Sequence, residues 1–137
     1  MKHFILLTLA LFLTNGCTDT STVPTEKISF SLVKYTPSAI LPQTATYALN
    51  QIIWSFDFEN QTITIETEDG VESPVLQKGT YTYTLVANSC NYGNNKTLVV
   101  NGQQYGVLIL DELKLGKIQI SFECLDGHKL VFQKSTK

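Results

Sequence analysis

An all-β domain, most simply an antiparallel up-and-down barrel of about eight strands, is the fold class this sequence predicts. Three observations carry the prediction. Apolar and polar residues alternate at period two through most of the chain beyond residue 27, Gly, Pro, Asn and Asp cluster between the alternating runs, and helical periodicity is weak there. With 137 residues, 43% of them hydrophobic, the chain is long enough to bury a sizeable core as one domain.

The first run, Lys27 to Tyr35, sets Ile28, Phe30 and Leu32 on one face. Thr36 to Asn50, with Pro37 and Pro42, reads as a long connection holding a short helical turn around Thr46 to Leu49. Gln51 to Phe58 is the clearest strand. Ile52, Trp54, Phe56 and Phe58 face one way and Gln51, Ser55 and Asp57 the other, with Ile53 as the exception. A turn at Glu59-Asn60-Gln61 leads into Thr62 to Thr67, where Ile63 and Ile65 point inward, so the two runs form a hairpin. After the connection Glu68 to Gly79, with Gly70 and Pro74, Thr80 to Asn88 turns Tyr81, Tyr83 and Leu85 inward.

Lys96 to Val100, with Leu98 and Val100 inward, and Gln103 to Leu110, with Tyr105, Val107 and Ile109 inward, flank Asn101-Gly102. Both residues of that pair tolerate positive φ, which makes it a strong two-residue hairpin signal. Lys117 to Glu123 (Ile118, Ile120, Phe122) and Lys129 to Lys134 (Leu130, Phe132) complete the series around Asp126-Gly127. Short alternating strands also build β-sandwiches, which stand as the alternative; the tight sequential hairpins favour the barrel.

The N-terminus has a different character. Lys2 and His3 precede an apolar run from Phe4 to Leu13 and the junction Thr14-Asn15-Gly16-Cys17, the three-part build of an export signal. The run is about half of the ~20 residues that a membrane-spanning helix needs. Leu13-Thr14-Asn15-Gly16-Cys17 resembles the lipobox of bacterial lipoproteins, in the looser form found in the Bacteroidota. The resemblance implies a signal peptide over 1–16 and lipidation of Cys17; 17–26, polar and without apolar period after the cysteine, reads as a flexible tether, and the alternating runs place a β-domain over 27–137. The resemblance also implies a cell-envelope location, held by lipid to the outer membrane on its periplasmic face or at the cell surface.

The Ile53-Trp54-Ser55-Phe56-Asp57-Phe58 run followed by Gln61-Thr62-Ile63-Thr64-Ile65, then Gly79-Thr80-Tyr81-Thr82-Tyr83, and finally Asp126-Gly127 leading to Leu130-Val131-Phe132-Gln133-Lys134, is similar to the small lipocalin-like domains of Bacteroidota lipoproteins. That resemblance implies an up-and-down barrel, in a wider family that often holds apolar ligands, and names no ligand.

Lipidation of Cys17 leaves Cys90 and Cys124 as a pair in an oxidising compartment, where a disulfide is expected. Such a bond closes a loop worth on the order of 3–4 kcal/mol in the chain-entropy model.

The formal net charge of −2 becomes −3 once Lys2 leaves with the signal, and no Lys/Arg cluster is present. This argues against a nucleic-acid partner and against polybasic membrane binding. His128, beside a predicted turn, reads as solvated, and no Ser-His-Asp or Cys-His set assembles around it. Carboxylates at Asp57 and Glu59, at Glu66, Glu68 and Asp69, and at Asp111 and Glu112 read as solubilising residues at strand ends and turns. No zinc, EF-hand or nucleotide-binding spacing appears, so the expectation is a protein without catalysis, metal or cofactor.

An eight-stranded barrel is just wide enough to be filled by side chains or to hold one small ligand. Candidate ligand contacts are Trp54, Phe56, Tyr81, Tyr83, Tyr105 and Phe122, with Thr36 to Asn50 as a lid. Two functional readings result. One is a lipid-anchored, non-enzymatic protein binding a small apolar or amphipathic molecule; the other is a protein-interaction module or inhibitor of the envelope that recognises its partner through Asn88 to Asn95.

Overall fold

The structure, a computed structural model, describes residues 26–38, 43–88, 93, 95–122 and 127–137. Cys17, Cys90 and Cys124, the tether up to residue 25, most of the Asn88 to Asn95 loop, and Asp126 lie outside the described residues, and with them the lipidation and disulfide expectations.

Among the described residues nine strands form one antiparallel sheet: β1 (Ile28–Thr36), β2 (Ala45–Thr46), β3 (Ile52–Asp57), β4 (Thr62–Thr67), β5 (Gly79–Ala87), β6 (Lys96–Val100), β7 (Gln103–Ile109), β8 (Lys117–Ser121) and β9 (Lys129–Lys134). From β3 onward each strand pairs with the next in sequence, and β9 returns to pair with β1 from Phe30↔Lys134 to Thr36↔Lys129. That last pairing closes an eight-stranded barrel, with β2 as one short extra strand, and excludes the sandwich. Three strands, β4, β6 and β9, begin and end where the alternation places them.

The turns follow local chemistry. Asn101 (φ 49°) and Gly102 (φ 79°) both take the left-handed conformation that a two-residue hairpin of this twist requires. At the β3–β4 turn, Asn60 donates its backbone N–H to one carboxylate oxygen of Asp57 at 2.8 Å and its side-chain N–H to the other at 2.9 Å. These bonds favour the ionised carboxyl and hold Asp57 below the usual carboxylate range.

One sequence expectation is corrected in the long first connection. In place of a helical turn around Thr46 to Leu49, Ala45 and Thr46 pair with Tyr35 and Lys34, and Tyr47 donates its N–H to the Val33 carbonyl at 3.1 Å. The reason is that β3 covers β1 only as far as Ser31, leaving the rest of that edge open for the returning chain. The helical turn lies instead at Leu113–Leu115, a short 3₁₀ segment closed by Gly116 in the left-handed conformation.

β7 holds the second correction. Its register with β6 shifts between Leu98 and Val99, which leaves Tyr105 as an extra residue. Beyond this bulge the side-chain alternation inverts: Leu108 joins the interior cluster with Leu98 and Ile120, while Val107, though buried, and Ile109 stand outside that cluster.

Phe30, Trp54, Phe56 and Phe132 are fully buried inside the barrel, with ring centroids 5.2–6.3 Å apart in the pairs Trp54–Phe132, Phe30–Phe56 and Trp54–Phe56. Leu76, from the β4–β5 connection, is also buried and packs into the same cluster from one end. On the outer surface Ser31 and Ser55 are buried as well. Ser29 and Ser55 share a 2.7 Å hydrogen bond, Asn50 donates its N–H to the Ser31 hydroxyl, and Ser135 donates to the Asn50 side-chain carbonyl. Polar residues at buried outward positions are tolerated because this network satisfies them.

Candidate functional site

Alternating strand direction gathers the β1–β3 connection, the β4–β5 connection, the Asn101-Gly102 turn and the β8–β9 connection at one end of the barrel. An open cleft of about 610 Å³ lies there, lined by Tyr35, Ser38, Pro74, Val75, Gln103, Gln104, Tyr105, Phe122, Gly127 and His128. Its volume falls in the small-molecule range of about 300–1,000 Å³.

Two bulges and two glycines build it. The bulge in β1, where the register with β9 shifts between Leu32 and Lys34, brings Tyr35 opposite Leu130 so that its ring packs on the core from the mouth. The β7 bulge brings Tyr105 and both neighbouring glutamines to the same cleft. Phe122 then lies against Gly106 and Gly127. A Cβ on Gly106 would stand 3.1 Å from the Phe122 ring, and one on Gly127 would stand 1.9 Å from the Phe122 Cβ, so the backbone reaches Phe122 only where no side chain intervenes. Phe122 donates its N–H to the His128 carbonyl at 3.0 Å, and the rings of these two residues meet edge to face at 4.9 Å.

His128, read from the sequence as a solvated turn residue, is half-buried, with Tyr35 6.3 Å away on its other side. Burial lowers its pKa, opposed by a hydrogen bond to the Tyr105 backbone. Nε2 is buried and has no hydrogen-bond partner among the described residues, which leaves Nδ1 to donate to Tyr105.

A proton taken up at Nε2 would therefore sit in a poorly solvated place. The folded-state pKa lies below the unfolded value of about 6.5, so the folded protein binds fewer protons than the unfolded chain in this range. The resulting stability is fully present above pH 6.5 and is lost as pH falls through and below that value. Urea midpoints measured from pH 7.5 to 5 are expected to decline along this segment, and the decline is expected to flatten in His128→Gln. An NMR titration placing the His128 ring at or above 6.5 would contradict the assignment.

The six aromatic residues expected to contact a ligand divide three ways. Trp54, Phe56 and Tyr83 belong to the closed core. The Tyr83 hydroxyl lies 3.5 Å from the Asp57 carbonyl, and burial, with the Asp57 carboxylate second, pushes its pKa up to about 12. Tyr81 packs against the core and donates its hydroxyl to the Gln77 carbonyl at 2.9 Å, pinning the β4–β5 connection. Only Tyr105 and Phe122 reach the cleft, where the structure adds Tyr35, Gln103, Gln104 and His128.

Ser73 Oγ, Ser121 Oγ and His128 Nε2, all carried by strands or connections of this end, are buried without a partner among the described residues; Trp54 Nε1 is likewise buried in the core. Among the described residues no group of three or more His, Cys, Asp or Glu is placed to hold a metal, and no helix is long and apolar enough to cross a membrane. No family model, curated protein or solved structure matches the chain.

Proposed function

We propose that this protein is a lipid-anchored binding protein of the cell envelope that captures a small, uncharged amphipathic molecule at the mouth of its barrel, without catalysing a reaction on it. The observation that carries this reading is the open cleft on top of an occupied interior. Large side chains fill the barrel around Trp54 and Phe56, while half-buried aromatic rings and exposed amides converge on one end. Pockets that mix apolar walls with a few polar groups are the usual form of a small-molecule site. Anchoring rests on the signal-like segment 1–16 and on Cys17 in its lipobox-like setting. Two acyl chains, at about 0.8 kcal/mol per buried methylene, would hold the protein stably at a membrane.

The test is a titration of the protein, isolated from membranes, with the neutral aromatic probe N-phenyl-1-naphthylamine, followed by NMR. Shifts are expected at Tyr35, Tyr105, Phe122 and His128, with little change at Trp54 and Phe56. The intact mass of the same preparation reads out the lipid on Cys17. Absence of probe binding, or shifts concentrated on Trp54 and Phe56, would overturn the mouth as the site.

A further inference from the structure

We infer that the mouth takes an uncharged carbohydrate of one or two pyranose rings, an inference that rests on the mouth being the binding site. Among the described residues, none of those lining the cleft is Asp, Glu, Lys or Arg. Its one titratable ring near neutral pH, His128, is half-buried beside the Phe122 and Tyr35 rings. A fatty acid carboxylate or a phosphate ester would leave water and find no cation among the described lining residues, an uncompensated cost. An acyl tail fares no better, because the apolar space below the mouth is occupied by Leu76 and the buried aromatic rings, leaving an open rim in place of an enclosed slot.

A pyranose fits both halves of this surface. Its C–H face is apolar and packs flat on aromatic rings, which Tyr35, Tyr105 and Phe122 supply without being fully buried. Its edge carries hydroxyls on neighbouring carbons, each both donor and acceptor. Gln103 and Gln104 present the matching chemistry, a planar amide with acceptor oxygen and donor nitrogen on each. Consecutive strand residues ordinarily face opposite ways; beside the Tyr105 bulge both glutamines are exposed and both line the cleft.

The experiment screens the full chain by calorimetry against a panel of neutral mono- and disaccharides, with laurate and N-phenyl-1-naphthylamine as comparisons. At least one saccharide is expected to bind. Gln103→Ala combined with Gln104→Ala, at exposed positions where the fold is indifferent, is expected to weaken that saccharide about tenfold and to leave the naphthylamine within about twofold. Binding of the naphthylamine without any saccharide, tighter binding of laurate, or saccharide binding indifferent to both glutamines would overturn the carbohydrate assignment while the mouth stands as a site. Failure of every ligand would overturn both.

Discussion

Phe56→Ala is expected to cost about 3–5 kcal/mol of folding stability, the range for removing a buried phenylalanine ring. Phe56 is fully buried and its ring neighbours four others: Phe30 at 6.2 Å edge to face, Trp54 at 6.3 Å, Phe58 stacked at 5.9 Å and Tyr83 at 6.3 Å edge to face. Its strand, β3, pairs with β1 on one side and β4 on the other, so the surrounding backbone is fixed by two ladders and collapses little into the space left behind. Trp54, the only tryptophan of the chain, lies beside it and reports unfolding through its fluorescence. Urea titration with this signal measures the loss. Phe56→Leu keeps most of the volume and is expected to cost less than half as much. A loss below about 1 kcal/mol for the alanine variant would mean that the interior is not close-packed, and would return the barrel lumen as a rival ligand site.

The barrel was legible in the sequence because period-two alternation is imposed by burial itself. Ile63 and Ile65 are buried, while Thr64 between them and Thr62 and Glu66 on either side stand outside the core, as alternation requires. Asn101-Gly102 was legible for a different reason, since few residue pairs accept two consecutive positive φ values. The errors arise where one residue breaks a period without changing composition. Nothing in Gln103-Gln104-Tyr105-Gly106-Val107 shows that Tyr105 is an extra residue, yet that bulge decides whether Val107 or Leu108 joins the interior cluster, Val107 being buried outside it. Buried Ser31 and Ser55 were likewise out of reach, because their partners lie far along the chain in Asn50 and on the neighbouring strand in Ser29.

The site was legible only in part for the same physical reason. Aromatic residues at inward positions look alike in sequence whether they end in the closed core, as Trp54 does, or at the mouth, as Tyr105 does. What separates them is distance from the barrel end, which depends on strand stagger. His128 was read as solvated because it follows a turn glycine; in the fold that glycine lets the chain close over Phe122 and buries the ring. Gly106 was the overlooked signal, a glycine inside an otherwise apolar alternating run, which marks a bulge or a close backbone approach.

Gly106→Ala is expected to be a strongly damaging single-methyl change at the mouth, on the order of 3 kcal/mol. Gly106 has φ +111°, a conformation that L side chains rarely adopt, so alanine there is strained whatever its surroundings. Space adds to the strain. The new Cβ would lie 2.8 Å from the carbonyl oxygen of Ser121 and 2.9 Å from its carbon, and this backbone cannot give way without disturbing the neighbouring Val107↔Ser121 register of β7 with β8. Relief requires separating the two strands where Phe122 leaves β8, which moves Phe122 and the His128 ring packed on it. The variant is therefore expected to lose stability in urea titration and to shift the His128 ring resonances together, while Trp54 fluorescence in the folded state stays unchanged. Gly102→Ala, where positive φ is retained but a Cβ meets nothing within 4 Å, isolates the conformational part and is expected to cost about 1 kcal/mol. Equal losses at the two glycines would show that the β7–β8 contact imposes no packing constraint, and that the bulge alone places Tyr105 and Phe122 in the mouth.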